Sequence, residues 1–405
     1  MIKKILKAVL PATYRKIDKS EKKILAALIK HNNCLLTEIA KLNGRIDSLE
    51  NTLNNMRPLF AELKQTVENE ANWKRDDLSR IIEENKNLLQ LLDFSQENMF
   101  YAMYKKDGES ETDAKKRFFK SLPEATGGLR LLQLGNAFLL QNLKEICDKN
   151  NLSYWLCSGS LIGAIRHAGF IPWDDDLDVA MLRYDYDKLI EVLKNNENFK
   201  VTVLYDWYAK CSQLRFKFAD DSKPMFVDIF IYDLYEGNIE NNFEIENRKN
   251  MIDFLEKTDA PEIQYWKKHP CLLSSDENFK AIDSIFEKYS NRKKAIYKYD
   301  TYENLKDTTV IRAAENCLFI KRLMSPNKMK FTWSTIFPLK TLQFENDSYS
   351  VPNDYDSFIS SIYGDIYKLP KDIFTHFQHI SHLELESVGF RKMIDELVGG
   401  KNEKY

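Results

Sequence analysis

The chain has 405 residues, more than one ordinary domain of ~100–200 residues and not clearly two equal ones. Its 59 basic and 61 acidic residues leave a net charge of -2, which excludes a global electrostatic pull towards nucleic acid or membrane. The six cysteines include no C-x-x-C pair, so neither a zinc ribbon nor a thioredoxin-like motif is present; a reducing, cytoplasmic setting is expected.

Residues 1–23 are basic and carry Ile2, Ile5, Leu6, Val9 and Leu10, a pattern suited to peripheral contact with an anionic membrane surface. Residues 24–104 are helical in composition. Within them, from 35 to 67, Ile39, Leu42, Ile46, Leu49, Leu53, Met56, Phe60, Leu63 and Val67 are spaced alternately three and four apart, the a/d seam of a coiled coil. Gly44 and Pro58 weaken the seam, and a kink or break is expected near Pro58. This region reads as an oligomerising stalk, with an intramolecular helical hairpin as the alternative. Residues 105–125 are polar and read as a linker, and a compact domain is expected over 126–398.

That domain opens with a helix from Leu129 to Cys147, ended at Asn150-Asn151, then a short strand at Tyr154–Leu156. Gly159-Ser160 turns into a helix towards His167, and Asp176 to Met181 reads as a strand. A helix over Tyr184–Lys194 and strands over Gln213–Phe218 and Met225–Ile231 follow; residues 236–330 are charged and largely helical. The fold class predicted is α/β in the α+β sense, a small mixed sheet flanked by helices.

The chemistry concentrates in SGSLIGAIRHAGFIPWDDDLDVAM, residues 158–181. On an extended strand Asp176 and Asp178 share one face ~6.5–7 Å apart, while Leu177 and Val179 point into a core. Asp228 sits at the centre of a second apolar strand, FVDIF, and a neighbouring strand ~4.8 Å away would let it complete a triangle. Two like charges ~4 Å apart repel by ~4 kcal/mol at an effective dielectric of ~20, so the acids either hold protons or share a divalent cation. Oxygen ligands so arranged suit Mg²⁺ or Mn²⁺. An acidic turn on a solvated surface accounts for Asp174 and Asp175 but not for the Asp-Leu-Asp-Val alternation. Gly159 and Ser160, just upstream, suit the close approach of a phosphate. Arg215 and Lys217 share a strand face as diphosphate clamps or as ordinary solvated residues, Arg166 ends the phosphate-side helix, and His167 reads as a base, a phosphate ligand or a fixer of the turn. Tyr205, Trp207 and Tyr208 form an aromatic group, either a choline cage or core. His376, His379 and His382 recur every third residue and read as a helix face.

The Gly-Ser turn, the Asp-x-Asp strand and the later Asp resemble the nucleotidyltransferase fold. The longer string Gly-Phe-Ile-Pro-Trp-Asp-Asp-Asp after an Arg-His pair resembles the LicD family signature, with VDIFIYD (227–233) and VPNDYDSFISSIYGDIYKLP (351–370) similar to its later motifs. Ser160 replaces a common threonine, and Ile231 stands where the second motif often has proline. The resemblance, over about residues 125–375, implies a metal-dependent transferase. It would move phosphocholine or a related phospho-alcohol from a CDP-activated donor, most simply CDP-choline, to a cell-surface glycan with release of CMP. Fukutin-like members use CDP-ribitol, so the donor stays open. On this reading Asp176, Asp178 and Asp228 are metal ligands and catalytic residues, while Gly159, Ser160, Arg166, His167, Arg215 and Lys217 bind substrate. The alternatives are nucleotidyl transfer with release of pyrophosphate, and an idle scaffold on a coiled coil.

Overall fold

The computed structural model describes residues 37–38, 41–56, 58–59, 75–236, 243–290, 308–316, 330–369 and 379–399. The chain divides into two compact units, Met1–Ser95 and Gln96–Tyr405. In the first, residues 41–56 are helical, and Leu42, Ile46, Leu49 and Leu53 of the expected seam are all exposed. The basic segment 1–23 and the seam positions Ile39, Phe60, Leu63 and Val67 lie outside the described residues; Pro58 is helical, with residue 57 beside it outside those described. Among the described residues no helix is long and apolar enough to cross a membrane.

Helix α1 (Arg75–Tyr104) leads into α2 (Glu111–Lys120), which occupies the stretch expected as a linker. Ser110 caps α2 by accepting the Asp113 amide, and Ala114 and Phe119 are fully buried. The polar composition of 105–125 conceals the Phe118-Phe119 pair that anchors it, and Arg117 ties the segment back through Glu109 and the Tyr104 carbonyl.

The central layer is a mixed eight-stranded sheet. After α3 (Gly127–Asn150) come β1 (Tyr154–Leu156), α4 (Ser158–His167), β2 (Asp178–Leu182), α5 (Arg183–Leu193), β3 (Phe199–Asp206), β4 (Cys211–Phe218) and β5 (Phe226–Tyr235). Then follow α6 (Phe243–Lys257), α7 (Pro261–Lys268), β6 (Cys271–Leu273), α8 (Phe279–Tyr289), β7 (Thr309–Arg312) and β8 (Lys330–Thr332). A short helix α9 (Trp333–Ile336), the hairpin β9 (Lys340–Phe344) and β10 (Asp347–Val351), and helices α10 (Tyr355–Tyr363), α11 (His382–Leu385) and α12 (Val388–Val398) complete it. The order is β1-β2-β5-β4-β3-β6, with β2 and β5 parallel and β1-β2, β5-β4, β4-β3 and β3-β6 antiparallel.

β2 and β5 are buried along their whole length, because helices and the C-terminal elements cover both faces. β4 leaves β5 after residue 229, and β7 takes over the same edge from Tyr232 to Tyr235. The buried Asn316 bridges the gap: its amide donates to the Ser212 carbonyl while its side-chain oxygen accepts the Ile231 N–H. Strand β3, absent from the expected order, pairs along its full length with β4 through Phe199, Val201 and Val203 on one face. Tyr205 and Trp207 belong to a separate small core with Trp266 and Phe286, and Tyr208 is exposed, so this aromatic group packs as core and rim.

Candidate active site

Parallel pairing of β2 with β5 sets Asp178 directly opposite Asp228. Asp176, on the approach to β2, brings a third carboxylate, and one oxygen from each of the three lies within 4.8 Å of the others. The local fold follows from the alternation: Leu177 and Val179 are fully buried in the core, which commits Asp176 and Asp178 to the opposite side. The Asp228 N–H donates to the Leu177 carbonyl at 2.7 Å, locking the two segments in register.

The Asp-Asp-Asp loop is held from behind by α3. Gln133, itself buried, donates to the Asp174 carbonyl at 2.9 Å. Asn136 donates to the Asp175 carbonyl at 2.9 Å and accepts the Phe226 N–H at the head of β5. Asp174 and Asp175 are consequently buried, not part of a solvated turn. Asp175 receives both the backbone N–H of His379, at 2.6 Å, and its Nδ1, at 3.1 Å. His379 Nε2 is 3.9 Å from Asp176, and the imidazole lies edge-on to Phe226. The histidine therefore joins a second group of possible ligands, Asp175, Asp176 and His379. The three-residue histidine spacing gave no hint of this; only His382 lies on a helix among the described residues, and His376 is outside them.

Gly159 presents its N–H to Asp178 Oδ2 at 3.1 Å. A Cβ there would meet Asp174 Oδ2 at 2.6 Å, so any other residue at 159 would have to push the Asp174 carboxylate aside. The preceding Ser158 adopts φ 44° in the left-handed region. Ser160 is buried, and its hydroxyl oxygen accepts the Asp178 N–H at 2.8 Å, fastening α4 to the start of β2. Arg215 stands opposite Asp228 on β4 and donates to it through Nε at 3.1 Å, with its guanidinium 4.0 Å over Phe226 and a second bond to Gln213. Lys217, on the same strand face, pairs instead with Asp221 at 2.8 Å. Arg166 and His167 are carried by the last turn of α4 to a different environment. Arg166 donates to the Ile366 carbonyl at 2.8 Å and stacks 4.1 Å over Phe119, while His167 lies beside both. Burial and the neighbouring Arg166 push His167 down to about 4, which keeps it neutral at physiological pH.

Electrostatically the carboxylate group is under-neutralised. Burial and the charge of Asp174 push Asp176 up to about 8. Burial, then Asp176 and Asp228, raise Asp178 well above the ordinary carboxylate range. Burial raises Asp228 as well, although Arg215 opposes it. For His379, burial works downward, but the hydrogen bond to Asp175 and the charge of Asp176 outweigh it and the group is raised. Three mutually close, charge-starved carboxylates form a hard-oxygen donor set, and this chemistry fits a divalent cation of the Mg²⁺ or Mn²⁺ class.

Residues 151–264 match the family described as LicD/FKTN/FKRP, nucleotidyltransferase domain. The chain is 27% identical over 264 residues to the lipopolysaccharide cholinephosphotransferase LicD of Haemophilus influenzae, an alignment spanning 60% of this chain and 93% of that protein. It is also 33% identical over 102 residues to an uncharacterized protein of Rickettsia prowazekii, and 34% identical over 112 residues to one of Rickettsia typhi. These alignments cover 24% and 27% of this chain, and 38% and 35% of the two rickettsial proteins.

Proposed function

We propose, for a chain that carries a LicD-family domain, that it is a metal-dependent phosphotransferase moving phosphocholine or a related phospho-alcohol from a CDP-activated donor to a hydroxyl of a cell-surface glycan. The observation that carries this reading is the Asp178–Asp228 register with Asp176 alongside, three carboxylates within 4.8 Å. Lipopolysaccharide is the acceptor suggested by the H. influenzae relative, and teichoic acid or capsule precursors share the same hydroxyl chemistry.

In the transfer, the acceptor oxygen forms a bond to the alcohol-bearing phosphorus, the bond from that phosphorus to the CMP oxygen breaks, and the acceptor proton passes to solvent or a nearby base. Such reactions depend on positioning and charge neutralisation more than on covalent chemistry. A divalent ion, held by Asp176, Asp178 and Asp228, would neutralise the diphosphate. Arg215 supplies the protein's own positive charge beside Asp228 and stacks on Phe226, which fixes its guanidinium for a phosphate oxygen. Gly159 keeps side-chain bulk out of the approach, and Gln133, Asn136 and His379 hold the acidic loop in place. Arg166 and His167 instead support α4 against Phe119 and the Ile366 carbonyl, and Lys217 pairs with Asp221.

The helical region before the domain would bring copies of the chain together through the 35–67 seam, and residues 1–23 would supply peripheral contact with the cytoplasmic membrane face, where envelope precursors are built. Product analysis with CDP-choline, CDP-ribitol, CDP-glycerol and CDP-ethanolamine tests the reading. Release of CMP with a labelled acceptor is expected. Release of pyrophosphate from a nucleoside triphosphate would establish nucleotidyl transfer instead, and unchanged cellular glycan in an Asp178→Ala strain would support the scaffold alternative.

A further inference from the structure

A second arginine rises beside the carboxylates, from a strand late in the chain. β7 pairs antiparallel with the C-terminal half of β5 and sets Arg312 opposite Tyr232. Asp228 and Tyr232 are four apart on β5 and share a face, and residues directly opposite in a ladder share it too. Arg312 therefore stands on the same side of the sheet as Asp178, Asp228 and Arg215. Its side chain turns back along β5: the guanidinium lies 3.9 Å over the ring of Phe230, the same-face residue between Tyr232 and Asp228. The Ala313 N–H donates to the Ile231 carbonyl at 3.0 Å and fixes the backbone next to it. Arg312 is 4% exposed, as deep as Asp178 at 8% and Asp228 at 7%.

The result is a matched pair. Phe226 and Phe230 stand two residues either side of Asp228, each ~7 Å along the strand from it. Arg215 of β4 stacks 4.0 Å over the first, and Arg312 of β7 stacks over the second. Stacking occupies the flat face of a guanidinium, while its N–H donors lie in the plane and are directed past the ring edge. The electrostatics agree with this placement. Burial and the neighbouring acids raise Asp178, and the charge of Arg312 opposes the rise. At Asp228 burial is opposed by Arg215, His379 and Arg312. Arg312 also works against the rise that burial imposes on the Cys157 thiol, at the residue that precedes α4. The arginine thus bears on the space between Phe230, Asp178 and the start of α4, where Gly159 presents its N–H. A buried guanidinium is costly unless an opposite charge faces it. With the carboxylates engaged by a divalent ion, its field falls on the anion that enters beside them.

We propose that Arg312 is a second phosphate-positioning residue, which with Arg215 brackets the phosphates of the bound nucleotide from either side of Asp228. The proposal rests on the transfer reading for its ligand class, a cytidine nucleotide. Arg215 and Arg312 come from different strands on one edge of β5, so the bracket exists only because β7 replaces β4 along that edge.

Isothermal titration of the full-length chain in Mn²⁺ tests this without turnover, by comparing CMP with cytidine. Arg312→Met should weaken CMP at least tenfold and leave cytidine within about twofold, because only CMP carries the charge that the guanidinium meets. Binding of Mn²⁺ alone should be no weaker than in wild type, since the three carboxylates remain and a nearby positive charge is gone. Arg312→Lys keeps the charge without the planar fork and should fall between the two; it decides the matter if the methionine variant does not fold. Equal losses of CMP and cytidine, CMP binding unchanged in the variants, or Mn²⁺ binding lost together with CMP would overturn the proposal. So would a wild-type chain that prefers CMP no more than cytidine. Wild-type protein that shows the expected CMP preference and its loss in Arg312→Met, yet releases no CMP from any CDP-alcohol, would overturn the transfer reading and leave Arg312 as assigned.

Discussion

Raising the pH of the metal-free protein should destabilise it, and the size of the effect follows from the carboxylate group. Asp176, Asp178 and Asp228 all have folded-state pKa values above the ordinary carboxylate value. Below about pH 4 they are protonated both folded and unfolded, so their contribution is fully present. As the pH rises the unfolded chain releases these protons freely while the folded chain must create charge in a buried cluster, and stability is lost up to and through the folded value. His379 is also raised and acts with the same sign, its contribution fading as the pH climbs from its ordinary value up to and through its folded value. Asp176 alone, moved from 3.8 to about 8, corresponds to ~6 kcal/mol across that window, of which ~4 kcal/mol falls between pH 5 and pH 8. At ~2 °C per kcal/mol for a domain of this size, Tm should fall by roughly 10 °C between pH 5 and pH 8 in the presence of a chelator. Differential scanning fluorimetry reads this directly. Mg²⁺ or Mn²⁺ should flatten the slope, because a ligand bound only by the folded state offsets the repulsion. Asp176→Asn should flatten it without metal. A metal-free Tm that is level or rises from pH 5 to pH 8, or an Asp176→Asn chain that keeps the wild-type slope, would refute the reasoning.

Gly159→Ala places a Cβ 2.6 Å from Asp174 Oδ2 and should lower transfer by about a hundredfold, since displacement by ~1 Å at a phosphoryl centre has that order of cost. Its melting temperature should stay within a few degrees of wild type, and retained activity would contradict the assigned close approach. Arg215→Met and Lys217→Met should separate although both residues share a strand face. The first removes the cation bonded to Asp228 and should weaken binding of the CDP-alcohol at least tenfold, while the second, paired with Asp221, should leave it nearly unchanged in isothermal titration.

That contrast shows where sequence reading stops. The Asp-Leu-Asp-Val and Val-Asp-Ile patterns were legible because a charge between buried aliphatics has only one face to occupy, and β2 and β5 formed at those positions. Which of Arg215 and Lys217 meets an acid depends on strand register: Arg215 stands opposite Asp228 and Lys217 opposite Phe226, and no local signal encodes that. Arg166 and His167 belong to the same motif as Gly159, yet seven residues of helix carry them ~10 Å along the axis towards Phe119. Asp174 and Asp175 looked solvent-facing because the amides that bury their loop, Gln133 and Asn136, come from a helix some forty residues earlier. His379 reaches Asp175 from 204 residues away. Strand β3 was readable in principle, since Phe199, Val201, Val203 and Tyr205 alternate, but the polar Asn195–Asn198 run before it obscured its start. The aromatic pair in 105–125 was likewise hidden by the charges around it.

The most direct test of the three-carboxylate centre is Mn²⁺ binding followed by electron paramagnetic resonance, with and without CDP-choline. Wild-type protein should bind the ion, and the donor should tighten that binding. Asp178→Asn and Asp228→Asn should abolish it while leaving the fold intact by circular dichroism. Mn²⁺ binding that persists undiminished in both variants, or wild-type protein that binds no ion even with the donor present, would contradict the account.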